Sequence, residues 1–285
     1  MAEKTLTLAA TTAPPDLTRG SIFFVGTATV IIRYAGFTIL TDPNFLHKGD
    51  HVHLGYGLKS ERLTEPAMQL EALPPIDFVV LSHMHGDHFD HVVSERLDKT
   101  LPILTTKHAA ASLEALGFQH AIALDTWEAV RVVKGDATVR LAAMPGKHAP
   151  GLLRLMIPPV MGSMLDFQGS SGKMALRLYI TGDTLLHEHL NEIPKRYPDI
   201  DVALLHLGGT RIAGVLLTMD AKQGVEMIRI VNPRTAIPIH YNDYGVFKSP
   251  LTDFQAAVKA AGLENRVHYL GHGDTFDIEV PASRL

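Results

Sequence analysis

The sequence predicts an α/β fold with sheets inside and helices outside, and three observations carry that expectation. Short β-branched and aromatic runs recur along the 285 residues, helical segments follow them in two successive blocks, and 46% hydrophobic content can supply a large core. Residues 1–20, "MAEKTLTLAATTAPPDLTRG", are expected to be a flexible arm ahead of one domain over 21–285. "SIFFVG", "TVIIRY" and "FTILT" then read as a meander of strands joined by Gly-containing turns. A His- and Gly-rich loop over 44–62 leads to "IDFVVLS", a buried strand. A helix near 91–98 follows, then one across "KHAAASLEALG", whose closing Gly117 suits a helix C-terminus. After the strand "TVRLAAM", residues 145–173 read as irregular. Strands "MALRLYI", "VALL" and "TAIPI" come next, with helices near 220–231 and 252–261 and closing strands "RVHYL" and "TFDIEV".

The composition excludes several chemistries. With no cysteine there is no disulfide, thiolate ligand or cysteine nucleophile, so any metal rests on His, Asp and Glu. A formal net charge of −4 gives no chain-wide basic field, so no obligate nucleic-acid partner is expected. The N-terminus does not read as a secretory leader, and no apolar run nears the roughly 18 residues of a transmembrane segment. A cytoplasmic protein acting on a small molecule is the expectation.

The chemistry concentrates in "LSHMHGDHFDH", residues 81–91. His83, His85, Asp87 and His88 fall where a predicted strand ends, and Gly86 allows a tight fold there. The bland alternative is a polar loop in which Asp87 or Asp90 merely caps the next helix. Other isolated groups also follow predicted strands: Asp42, His148, Asp183 and His240. Strands lying side by side would gather them on one rim. Seven candidate ligands, namely His83, His85, Asp87, His88, His148, Asp183 and His240, exceed what one tetrahedral ion uses, and a pair of ions bridged by Asp183 accounts for them all.

At this point the chain resembles the metallo-β-lactamase superfamily, through "HMHGDH" at 83–88, "PGKH" ending at His148, "TGDT" holding Asp183, "IPIHY" holding His240 and "ILTDP" around Asp42. The resemblance implies a four-layer αββα sandwich with two mixed sheets inside. It also implies that His83, His85 and His148 hold one ion, that Asp87, His88 and His240 hold the other, and that Asp183 bridges. "GTATVIIRYAGFTILTDPNF" and the stretch from "DVALLHLGGT" to "IPIHY" are similar to the branch with ascorbate-6-phosphate lactonases and N-acylphosphatidylethanolamine phospholipases D. The most familiar β-lactamases of the superfamily use a cysteine at the second metal, where this chain has Asp183, so antibiotic hydrolysis is disfavoured. Members with a redox role carry a flavodoxin module for which no segment remains.

Zinc is the default for this donor set, with manganese or iron as alternatives. Two such ions would lower the pKa of a shared water toward about 7 and hold a hydroxide ready to attack a phosphodiester, or an ester or lactone. Asp87, besides ligating, can shuttle a proton, and Asp42 would orient a ligand imidazole. His206 in "ALLHLGGT" is a candidate to contact substrate or to support a metal ligand from behind, weighed against an ordinary buried histidine, and His272 in "YLGHGDTF" is a further candidate substrate contact. Residues 149–172 carry Leu, Met, Ile and Phe without period and read as an apolar wall for a partly apolar substrate. The alternative for that segment is plain core or a contact in a homo-oligomer. The competing function is a non-catalytic metal-binding or regulatory protein on the same fold.

Overall fold

The computed structural model describes residues 3–10, 14–53, 59–281 and 285. Two mixed seven-stranded sheets face each other. The first runs in the order Lys4–Leu8, Ala129–Lys134, Ala137–Met144, Gly162–Gln168, Met174–Ile180, Val202–His206, Thr235–Ile239. The second runs Thr275–Glu279, Arg19–Gly26, Thr29–Tyr34, Phe37–Thr41, Phe78–Val80, Ile103–Thr106, Ala121–Leu124. In the second sheet the strands from Thr275–Glu279 to Phe37–Thr41 pair antiparallel and the rest parallel, whereas in the first the antiparallel run from Ala129–Lys134 to Met174–Ile180 is flanked by parallel pairs at both ends.

Alternation along the strands builds three apolar layers. Phe24, Ile32, Phe37 and Ile39 from one sheet meet Leu141, Leu165, Phe167, Leu178 and Ile237 from the other in the central core. The opposite face of the first sheet, through Met164, Tyr179 and Leu205, packs on helices Ala221–Val231 and Leu251–Ala261. The opposite face of the second, through Ile31, Leu40 and Val79, packs on Val93 and on Ala109 and Leu113 of helices His91–Arg96 and Lys107–Ala115. The result is the expected αββα sandwich. Asp90 and Thr106 cap the latter two helices by accepting from Val93 N and Ala109 N.

Four sequence expectations differ from the structure. Lys4–Leu8, expected in a mobile arm, is an edge strand parallel to Ala129–Lys134, because Leu6 and Leu8 find a place against the central core. Within 145–173 only the first half is irregular: Gly162–Gln168 is a central strand, covered on both faces and therefore without an alternating signature. Ala129–Lys134 and Ala121–Leu124 are strands that the sequence reading passed over. "RVHYL" forms no strand and makes only an isolated bridge from Val267 to Ala236. Within the 44–62 loop, His51–His53 and Lys59–Glu61 pair as a short hairpin. Residues 1–2 and 11–13 of the arm, and 54–58 of that loop, lie outside the described residues.

Candidate metal centre

Within each sheet, strands that run in the same direction position the site. Asp42 and His83 follow Phe37–Thr41 and Phe78–Val80 in the second sheet; His148, Asp183 and His240 follow Ala137–Met144, Met174–Ile180 and Thr235–Ile239 in the first. All therefore emerge on one rim, where backbone bonds tie the two sheets together: His240 N donates to Thr27 O at 2.6 Å and Met161 N to Ser82 O at 3.1 Å. Gly182, at φ 61°, makes the turn into Asp183, and a Cβ there would lie 2.6 Å from Met161 O. Gly86 serves a different need, since a Cβ would meet Val52 Cγ2 at 2.5 Å.

The seven predicted ligands converge as two adjoining donor groups, one of His83, His85 and His148, the other of Asp87, His88, Asp183 and His240. In the first, His85 Nδ1 lies 3.0 Å from His83 Nε2 and 3.1 Å from His148 Nε2. Ligand bonds of 2.0–2.1 Å in a tetrahedron imply donor separations of about 3.3 Å, so the spacing suits one ion. In the second, His240 Nε2 is 3.3 Å from Asp87 Oδ2 and His88 Nε2 is 3.1 Å from Asp183 Oδ2. Asp183 Oδ2 also lies 4.0 Å from His83 Nε2 and 3.9 Å from His148 Nε2, facing both groups.

Tautomers and charges fit cations. His148 Nδ1 faces the Leu217 carbonyl at 3.1 Å and His240 Nδ1 the Leu207 carbonyl at 3.3 Å; a carbonyl requires an N–H there, which leaves each Nε2 lone pair turned to the cluster. Burial, reinforced by the neighbouring imidazoles, holds His83 well below an ordinary histidine and His85 down to about 3. Burial also lowers His148. Burial would raise the Asp87 and Asp183 carboxyls, but His88 and His240 outweigh it and keep both ionised. Burial would likewise lower His88, yet Asp183, Asp42 and Asp87 raise it well above the ordinary range, the mark of a negative pocket that a cation would neutralise. Asp87 Oδ1 and Asp183 Oδ1 are buried with no hydrogen-bond partner among the described residues, which is costly for polar atoms unless a further ligand takes them up.

Behind the donors, Asp42 is 1% exposed. Its Oδ1 accepts from Ser82 N at 2.7 Å and lies 3.5 Å from His88 Nδ1, the place of an orienting carboxylate. Burial would raise its carboxyl, but His88 and then His206 hold it down to about 2. Ser82 is a contributor the sequence reading missed: its Oγ sits 2.9 Å from His83 Nδ1 and 3.3 Å from His88 Nδ1. Asn44, likewise missed, donates from Nδ2 to Gly86 O at 3.0 Å and so pins the ligand loop. Only their adjacency to "LSHMHGDH" and "LTDPN" pointed to either residue.

The two candidate substrate contacts are not brought to the opening of the site. His206 is fully buried behind His88, its Nε2 3.4 Å from Asp42 Oδ2. His272 lies on the far side of Asp243, with Nε2 3.1 Å from Asp243 Oδ1 and its ring edge-on to Phe24. The opening itself is a cavity of about 670 Å³ whose floor includes His85, Asp87, His148 and Asp183. Its lining includes Leu153, Met156, Ile157, Ile212, Val215 and Leu217, so the first half of the 149–172 segment does line it. A larger cleft of about 840 Å³ lies beyond the same segment but touches the donors only at His148.

A four-layer αββα sandwich with two facing His/Asp donor groups at the rim of its sheets defines a metallo-hydrolase class of protein. The Beta-lactamase superfamily domain matches residues 38–241, and the chain belongs to the metallo-β-lactamase superfamily. It is 27% identical over 258 residues to a UPF0173 metal-dependent hydrolase of Anaeromyxobacter sp. (strain K), covering 87% of this chain and 84% of that one. Among solved structures, a possible metal-dependent hydrolase from Veillonella parvula DSM 2008 superposes with a TM-score of 0.75 at 19% identity, covering 92% of this chain and 99% of that one. An isothiocyanate hydrolase from Delia radicum gut bacteria gives a TM-score of 0.73 at 19% identity, with 92% and 100% coverage. No helix among the described residues is long and apolar enough to cross a membrane.

Proposed function

We propose that the chain is a metal-dependent hydrolase with two divalent ions, zinc by donor preference, acting on a phosphodiester or on an ester or lactone with an apolar part. The observation that carries this reading is the convergence of seven donors, six of them buried, into two adjoining groups with Asp183 facing both, under an apolar cavity. In this reading His83, His85 and His148 hold one ion, Asp87, His88 and His240 the other, and Asp183 faces both. Divalent ions bound there would supply Lewis acidity and an acidified water.

The chain's own residues do the remainder. Asp42 and Ser82 fix the imidazoles of His88 and His83 with the Nε2 atoms inward. The Leu217 and Leu207 carbonyls fix the tautomers of His148 and His240. Asp87, with Oδ1 unpartnered and lining the cavity, is placed to take up a proton and pass it to the leaving group. The apolar walls exclude bulk water from the reacting centre.

Elemental analysis of the purified protein, followed by assay on bis-p-nitrophenyl phosphate, aryl esters and lactones, tests the proposal. Two metals per chain and hydrolysis abolished by chelator and restored by zinc are expected. A metal-loaded protein inert to the whole panel favours the non-catalytic alternative.

A further inference from the structure

We infer that the larger cleft, which adjoins the metal cavity at His148, Ile157 and Pro158, is a second ligand site, built for a phosphate-type oxyanion that Lys147, Arg154 and His187 would bind. The site is separate from the donor groups and does not depend on the hydrolase reading.

His148 has no nitrogen to offer this cleft, because its Nδ1 faces the Leu217 carbonyl at 3.1 Å and its Nε2 faces His85 at 3.1 Å. The other ionisable groups of the lining are Lys147, Arg154, His187, Glu188 and His189. Glu188 is the one carboxylate among them, and its side chain is 88% exposed, 3.9 Å from His189 Nε2. Neither the Lys147 ammonium nor the Arg154 guanidinium has an ion-pair or hydrogen-bond partner among the described residues. Cations elsewhere in the chain are neutralised at short range: Arg177 Nε lies 2.6 Å from Asp166 Oδ1, and Lys134 Nζ 2.8 Å from Asp77 Oδ2. His187 Nε2 is buried and also unpartnered among the described residues. Burial, then His189 and Lys147, hold the His187 imidazole down to about 4, so near neutrality it is an uncharged ring with one N–H to donate.

Two uncompensated cations on a concave wall make a local positive field in a chain whose formal net charge is −4. A guanidinium fork, an ammonium and a neutral imidazole N–H together match the several terminal oxygens and double charge of a phosphate-type group. A carboxylate offers two oxygens and one charge, and would leave one of the cations uncompensated. The rest of the lining is apolar or aromatic, including Trp127, Pro145 and Val160, and the Arg196 guanidinium lies 4.3 Å from the Trp127 ring centroid, a third cation beside the cleft. At about 840 Å³ the cleft has room for an apolar group attached to the oxyanion. Lys147 directly precedes His148, so an anion held there sits one residue along the chain from a candidate metal donor.

Calorimetric titration of the metal-loaded protein with inorganic phosphate tests this, phosphate on the metals being the competing explanation. Lys147→Met and Arg154→Met should each weaken a phosphate-binding event roughly tenfold or more, the scale of one lost charge-assisted hydrogen bond. Asp183→Ala, which disturbs the donor groups, and Lys107→Met, on the outer helix of the other sheet, should leave that event within about twofold. Arg154 is exposed and Lys147 half-buried, so neither replacement opens the core, and metal content matching wild type checks that each variant is folded. Binding lost in Asp183→Ala but unmoved by the two cleft variants puts the anion on the metals and overturns the proposal; no phosphate binding by the wild type overturns it as well. Phenylphosphonate, which resists hydrolysis, separates the two sources of the oxyanion. Binding tighter than that of inorganic phosphate and lost in the same two variants supports an anion carried on an apolar ligand; binding no tighter, and lost in the same variants, supports a free oxyanion at the same site. The hydrolase reading is decided by the chelator experiment above, and its failure would leave this site standing.

Discussion

Asp42→Asn tests how far the ligand cluster depends on a residue that is not a donor in either proposed ion site. Asp42 is fully buried, and its carboxylate engages Ser82 N at 2.7 Å while flanking His88 Nδ1 at 3.5 Å and His206 Nε2 at 3.4 Å. In the metal-free protein its carboxyl is held down from 3.8 to about 2, chiefly by His88 against the cost of burial, a difference worth on the order of 2 kcal/mol. For a depressed carboxyl this stabilisation is present above pH 3.8 and is lost as pH falls through 2. Urea unfolding of metal-free protein at pH 7 should therefore show the variant less stable by about 2 kcal/mol, with the gap closing as pH falls toward 2. In the loaded protein His88 is neutral, which shrinks the Coulombic part, and the effect moves to metal affinity. Loss of an orienting carboxylate weakens binding roughly 10- to 100-fold, or about 1.4–2.8 kcal/mol, measurable by competition with a fluorescent chelator. A variant with metal affinity within twofold of wild type and unchanged unfolding at pH 7 would refute the orienting role.

Asp183→Ala should lose at least one ion per chain by elemental analysis and reduce turnover at least a hundredfold; two tightly held metals with full activity would dismiss the bridging assignment. Because His88 and His240 are raised above 6.5 by the carboxylates around them, metal uptake near neutrality must displace protons. Titrations in buffers of different ionisation enthalpy should show that release, and affinity should fall as pH drops from neutrality; a proton-independent uptake contradicts it. Gly182→Ala places a Cβ 2.6 Å from Met161 O at a left-handed φ and should cost roughly 1–3 kcal/mol in denaturant, together with weaker metal binding. Leu165→Ala, in the strand between Ala137–Met144 and Met174–Ile180, should cost about 2–5 kcal/mol, whereas an irregular surface segment would tolerate it.

Sequence alone determined which residues are the candidate donors, for a local reason. His83, His85, Asp87 and His88 occupy one turn after a buried strand, and the other donors each follow a recognisable β-branched run, so their place on a rim was implied by where strands stop. An α/β fold with sheets inside and helices outside was legible through strand runs followed by helices, and its αββα layering through the family resemblance. What sequence could not express was context. Gly162–Gln168 is buried on both faces and so shows no alternation, while Lys4–Leu8 is ordered only because a strand 126 residues away offers it an edge. His206 and His272 follow predicted strands or runs just as His240 does, and nothing in their flanking residues separates them. Tertiary packing decided that His240 faces Asp87, that His206 sits behind His88, and that His272 turns to Asp243. It also decided which half of residues 149–172 walls the cavity and which half is core strand, because burial and proximity depend on partners distant in the chain.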